Sequence, residues 1–462
     1  MPVFPNDFLW GVAAASYQVE GGVADGGRKP SVWDMFCAQP GKVKHGHTGA
    51  VACDQYHRYE KDVQLMSDLG AQAYRLSIAW PRVIPDGDGA INEQGLDYYD
   101  RLVDALLAKG IEPWVTLYHW DMPTAAFDKG GWLNRDSADW FQRYTEAVAK
   151  KLGDRVTHWF TFNEPQVFLT LGHVTGEHAP GMKYGDAEVL RCIHHVLLSH
   201  GKSAMALREH CAKTPTIGWA PCGRVCYPDN ESSQADVDGA KAFMFSLAGE
   251  EHGWTFDFSW FSDPAILGSY PKLGLDKRGH LMPAGFEKDL ETINQPIDFH
   301  GVNIYQGDRV KAGDNGPQRV APGPGYPRTH FDWPITPESL YWGPKLLADR
   351  YKLPMYITEN GCAQPDFVHS DGEVHDAARV DFLRRYLWQL RRAANDGIDV
   401  RGYFQWSIMD NFEWAEGYEK RFGIVYVDYE TQERIPKDSY RFYAETIKQN
   451  GANLPEKLAP LR

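Results

Sequence analysis

Glu164 and Glu359 stand 195 positions apart (359 − 164) in a chain of 462 residues, and each closes a short run of β-branched and aromatic residues. Asn163 precedes the first and Asn360 follows the second. Two carboxyl groups brought to one place are what cleavage of a glycosidic bond needs. One must keep its proton to assist the leaving oxygen, and the other must be ionised to attack the anomeric carbon or activate water. Further polar and aromatic residues fall at or just beyond comparable runs: Gln18, Glu20, Arg75, His119, Asn303, Tyr305, Trp406, Glu413 and Trp414. A lone strand-end glutamate is more often an ion-pair partner than a catalyst, so the argument rests on the whole set converging.

That convergence requires a particular frame. Eight short strand patterns recur, at 8–14, 73–80, 111–119, 157–163, 216–220, 297–304, 355–359 and 400–406. Helical spacing separates them at 93–109, 136–152, 187–212 and 376–396. Within 96–107, Leu96, Tyr99, Leu102, Val103, Leu106 and Leu107 repeat every three or four residues, which predicts one buried face. Residues 308–338 are rich in Gly and Pro and read as a long loop. Strands alternating with helices predict an α/β fold, a single (β/α)8 barrel over 1–462 with extended loops at its C-terminal face, where strand-end side chains share one mouth. Two doubly wound domains are the alternative, but the chain has no dinucleotide fingerprint and no linker. In the barrel, Arg75 and Tyr305 would lie beside Glu359 and keep it ionised, while Glu164 has no comparable cation and would hold its proton longer.

Composition narrows the partners. With 48 Lys and Arg against 62 Asp and Glu, the formal charge is −14. Nucleic acid and anionic membrane surfaces would repel it, leaving a neutral or cationic small molecule as the expected partner. The N-terminal segment lacks the basic and apolar parts of a signal peptide, and no run is long and apolar enough to span a membrane. Seven Cys form no disulfide framework, and Cys222 and Cys226 lack the second pair of a zinc site, so the thiols read as incidental and the compartment as cytoplasmic. His194 and His195 fall inside a helix and read as structural.

The segments 161–165 (TFNEP) and 357–361 (ITENG) resemble the acid/base and nucleophile motifs of glycoside hydrolase family 1, the β-glucosidase family. The resemblance continues through 4–21 (FPNDFLWGVAAASYQVEG), 116–121 (TLYHWD) and 406–428 (WSIMDNFEWAEGYEKRFGIVYVD), in the family's order. It implies a double displacement through a covalent glycosyl-enzyme, with Glu359 as nucleophile, Glu164 as acid/base, and Arg75, Asn303 and Tyr305 supporting Glu359. By the same similarity Gln18, His119, Trp120, Asn163, Tyr305, Glu413, Trp414 and Phe422 would line the sugar, and Trp406 would lie under its ring. Trp333 would stack on the leaving group. Two carboxylates suffice for this chemistry, so no metal or organic cofactor is implied.

Several positions depart from the family. Gln166 and Val167 stand where Trp-Cys is usual, His173 where Tyr is usual, and Leu76 and Ala79 replace a common Phe and Ser. Gln166 lies two residues beyond the acid/base, so it is expected to reshape the leaving-group subsite. Three readings stay open: a β-glucosidase acting on small β-glycosides or short cello-oligosaccharides, with β-galactosides or β-fucosides also in view; a 6-phospho-β-glycosidase; and a noncatalytic carbohydrate-binding relative. Family members that bind a 6-phosphate place Ser at the position of Glu413 and Tyr at that of Phe422, while Lys420 matches their lysine.

Overall fold

The computed structural model describes residues 3–247 and 253–461. Eight parallel strands close into a barrel: β1 (Leu9–Ala13), β2 (Ala73–Ser77), β3 (Glu112–Tyr118), β4 (His158–Asn163), β5 (Thr216–Ala220), β6 (Phe299–Asn303), β7 (Met355–Asn360) and β8 (Val400–Trp406). Each pairs with its neighbours in sequence, and β1 closes the ring on β8 with Leu9 opposite Gly402 and Ala13 opposite Trp406. Every expected strand is present within a few residues of its predicted ends.

Helices return the chain between strands: α1 (Gln55–Leu69), α2 (Glu93–Ala108), α3 (Ser137–Leu152), α4 (Asp186–His210), α5 (Phe286–Ile293), α6 (Ser339–Tyr351), α7 (Ala377–Asn395) and α8 (Asp438–Lys448). On α2 the predicted face is buried from Leu96 to Leu106, but Leu107, at the edge of the stripe in the last turn of the helix, is 39% exposed. Residues 308–338 are not all loop. Asp308–Lys311 pairs with Gln318–Val320 on one side and with Cys226–Pro228 on the other, in a small three-stranded sheet. Its pattern is too short and too polar to rise above the Gly and Pro around it.

The barrel interior is a packed layer of rings. Trp114 of β3 sits at its centre, with Phe299, Tyr356 and Phe404 of β6, β7 and β8 at 5.5, 4.8 and 5.2 Å. Small residues make room for them: a Cβ on Gly11 would lie 2.4 Å from the Phe404 ring, and one on Gly218 would lie 2.4 Å from Phe299. The Arg75 guanidinium rests 5.0 Å above the ring of Phe160, in contact with this aromatic layer. The apolar layer therefore supports the charged groups that sit at the strand ends.

Candidate active site

The C-terminal ends of the strands open into a cavity of about 510 Å³. Register brings its carboxylates into place: β6 and β7 pair so that Asn303 lies beside Glu359, and a shift of register between Ile357 and Glu359 marks the approach to that strand end. Arg75 Nη1 donates to Glu359 Oε1 at 2.6 Å, and both side chains are almost wholly buried. The Tyr305 hydroxyl donates to the other oxygen at 2.7 Å.

The second Arg75 nitrogen, Nη2, donates to the Asn163 side-chain carbonyl at 2.6 Å, and Asn303 Nδ2 donates to the same oxygen at 3.0 Å. Those two bonds fix which way the Asn163 amide faces, so its Nδ2 points to His119 Nε2 at 3.1 Å. Burial and the nearby Arg75 hold His119 well below the usual imidazole range, so the ring is neutral and Nε2 accepts. Trp120 Nε1 donates to the Asn163 backbone carbonyl at 3.0 Å. Strands β2, β3, β4, β6 and β7 are thereby joined through one polar network beneath the cavity.

Glu164 follows β4 in a left-handed backbone conformation (φ 43°), and Trp120 and Trp414, which also line the cavity, share it with φ of 77° and 50°. Such conformations cost a non-glycine residue about 1–3 kcal/mol and persist where surrounding packing holds them. Here they turn three side chains into one space. Burial pushes the Glu164 carboxyl up to about 8, and the charge of Glu359 adds to the shift. Burial raises Glu359 as well, but Arg75, Tyr305 and Asn303 all oppose it. Of the two, Glu359 therefore ionises first and Glu164 keeps its proton.

Of the residues expected at the site, His119, Trp120, Asn303, Tyr305, Trp333, Trp406, Glu413, Trp414 and Phe422 line the cavity together with Glu164 and Glu359. Arg75, Asn163 and Gln18 lie behind them, fully buried. Gln18 Nε2 donates to the Phe412 carbonyl at 2.9 Å and reaches Glu413 at 3.4 Å, while its Oε1 has no partner within the protein. Glu413 is pushed well above the carboxylate range by burial and by Glu359 and Glu164. Glu20 is instead a structural anion, tied to Arg82 and to the Tyr99 hydroxyl at 2.7 Å. His194 bonds Tyr270 and Asp289, and His195 bonds the Trp132 carbonyl, both away from the cavity.

Gln166 is not where the sequence placed it. Its side chain is fully buried, does not line the cavity, and has no hydrogen-bond partner for either amide atom within the protein, whereas the neighbouring Val167 does face the cleft. Both lie in one helical turn, Pro165–Leu169, where consecutive side chains diverge by about 100° and only one can face the cleft. Gln166→Trp is accordingly expected to act as an overpacked core substitution, costing about 1–3 kcal/mol of stability. Thermal melting should show the loss, and the Michaelis constant for aryl glycosides should be unchanged in the folded fraction; a lowered constant would return Gln166 to the cleft.

Other wall residues were not anticipated. Phe331 stacks on Trp333 at 4.7 Å and 20°, and the two rings form one apolar face with Phe422. Cys222, read from the sequence as incidental, lines the cavity two residues beyond β5, and its thiol is raised by burial and by the charges of Glu164 and Glu359. The strand-end rule points to it, since β5 otherwise supplies no candidate. Glu177 and Glu416 lie at the rim. Among the described residues no group of three or more His, Cys, Asp or Glu side chains is arranged to hold a metal ion, and no helix is long and apolar enough to cross a membrane.

The model of glycosyl hydrolase family 1 matches residues 1–452. The chain belongs to that family. Family 1 relatives include a 1,4-beta-D-glucan glucohydrolase of Thermotoga neapolitana, 46% identical over 98% of this chain and 99% of its own. A bifunctional beta-D-glucosidase/beta-D-fucosidase of Bifidobacterium breve is 43% identical, over 97% and 99% of the two chains. The solved structure of a family 1 β-glucosidase from Thermotoga maritima in complex with glucoimidazole superposes with a TM-score of 0.88 at 43% identity, covering 97% of this chain and 99% of that one.

Proposed function

We propose that this protein is a retaining β-glucosidase whose catalytic unit spans 1–462 and which removes terminal β-D-glucosyl units from small glucosides and short cello-oligosaccharides. The observation that carries the reading is the asymmetry of the two buried carboxyl groups. Glu359 is gripped by Arg75 and Tyr305, and Glu164 is pushed up to about 8 across the same cavity. Glu359 attacks the anomeric carbon as Glu164 gives its proton to the departing oxygen. Glu164 then takes a proton from the water that releases the sugar.

Gln18, His119, Asn163, Glu413 and Trp414 serve the hydroxyls of the sugar, and Trp406 offers an apolar face to its ring. The stacked Phe331 and Trp333 suit an apolar or sugar-like leaving group. Relatives named as β-glucosidases, including one also named as a β-fucosidase, support the choice of glycone. Seven free cysteines suit a reducing compartment.

The reading is tested against its phosphorylated alternative. Glu413 lines the cavity, whereas Lys420 does not and instead donates to the His330 carbonyl at 2.8 Å. Glu413 gives a phosphate dianion no positive partner and repels it whenever ionised, while its two oxygens suit a pair of sugar hydroxyls. Nitrophenyl β-glucoside is expected to turn over at least about a hundredfold faster, in kcat/KM, than its 6-phosphate, the scale of one misplaced buried charge. The opposite preference would overturn the assignment of substrate.

A further inference from the structure

Behind the site lies a cluster of six charges that the chemistry does not use. Arg379, Arg421 and Lys437 face Asp366, Asp376 and Asp410, and all but Arg421 have side chains at most 4% exposed. Lys437 is its hinge: its Nζ donates to Asp366 Oδ2 at 2.6 Å and to Asp410 Oδ1 at 2.7 Å. Asp410 passes the constraint on, accepting from the Gly423 backbone at 3.0 Å and from Arg421 Nη1 at 2.6 Å. Arg379 Nη2 donates to the Arg421 backbone carbonyl at 2.8 Å. Phe422, a wall of the cavity, thus has the backbone on both its sides held by the cluster.

Buried ion pairs are seldom better for stability than apolar residues of the same volume, because desolvation offsets the attraction. What they do supply is direction: each bond has one geometry. The segment held here, 407–423, is the one that carries Glu413, Trp414 and Phe422 into the cavity. We propose that Lys437 is a positioning residue that sets the enzyme's grip on the sugar's 6-hydroxyl, by tethering the segment after β8 to the segment after β7. The proposal rests on the glucosidase reading and on Glu413 as the acceptor for that hydroxyl.

The test compares nitrophenyl β-glucoside with nitrophenyl 6-deoxy-β-glucoside, which lacks only the group in question. Lys437→Met is expected to raise KM for the glucoside roughly tenfold, the scale of one charge-assisted hydrogen bond, with kcat changed less than about threefold. KM for the 6-deoxy compound should rise clearly less, because it lacks the hydroxyl in question and keeps only the other contacts of the segment. Concentrations of competent enzyme are set by titration with a fluorinated glucoside that stalls as the covalent intermediate, so partial unfolding does not enter. Asp366→Asn, which keeps the shape and weakens the same tether, should reproduce the split in smaller measure, and it decides the matter if Lys437→Met does not fold. Equal losses on both substrates would overturn the proposal. Failure of the glucosidase reading looks different: the wild-type protein would turn over neither compound.

Discussion

Glu359→Ala is expected to lower turnover on every β-glucoside by on the order of 10⁵-fold, the scale seen when a covalent nucleophile is removed. The loss should not depend on leaving-group acidity, because no other group in the cavity holds the opposed position. The variant also strands a buried Arg75, whose partner at 2.6 Å is gone, and such an unpaired charge costs about 3–5 kcal/mol of stability. Rates must therefore be read per folded molecule. Added azide should enter from the vacated face and give the α-glycosyl azide. Unchanged turnover in a folded Glu359→Ala protein would remove the nucleophile from the account.

Glu164→Ala should cost about 10²–10⁴-fold on substrates whose leaving group needs a proton. On a dinitrophenyl glucoside the first step should survive, and azide should restore turnover as the β-glycosyl azide. The pH profile gives a second signature. The folded-state value of Glu164 is raised to about 8, and the acid must be protonated for the first step. With Glu359 ionised, activity of the wild type falls as pH rises through that value; in Glu164→Ala this basic limb should vanish. A basic limb that persists in the variant would mean that another group supplies the proton.

Strands and helices were legible because burial imposes a period. The interior ring layer of Trp114, Phe299, Tyr356 and Phe404 comes from strands buried along nearly their whole length, whose β-branched and aromatic runs show through in the sequence. The polar strand ends followed from that frame, and they include the Arg75 ion pair with Glu359, which joins residues 284 positions apart. What failed was finer than a strand. Gln166 and Val167 differ by one step of a helical turn, and pattern alone does not say which of two neighbours faces a cleft. Cys222 was discounted by residue type, although its place after β5 is the position the barrel makes functional. The small sheet at Cys226–Pro228, Asp308–Lys311 and Gln318–Val320 hid because its strands are short and polar, and one of its two pairings joins segments far apart in sequence.

The claim at the centre is double displacement, and stereochemistry tests it most directly. Proton NMR recorded in the first moments of hydrolysis of an aryl β-glucoside reads the anomer before mutarotation blurs it. Attack by Glu359 followed by water from the face Glu164 serves inverts the centre twice, so β-glucose should appear first and the α-anomer only later. First release of α-glucose would mean a single displacement by water, and the assignment of Glu359 as nucleophile would fall with it.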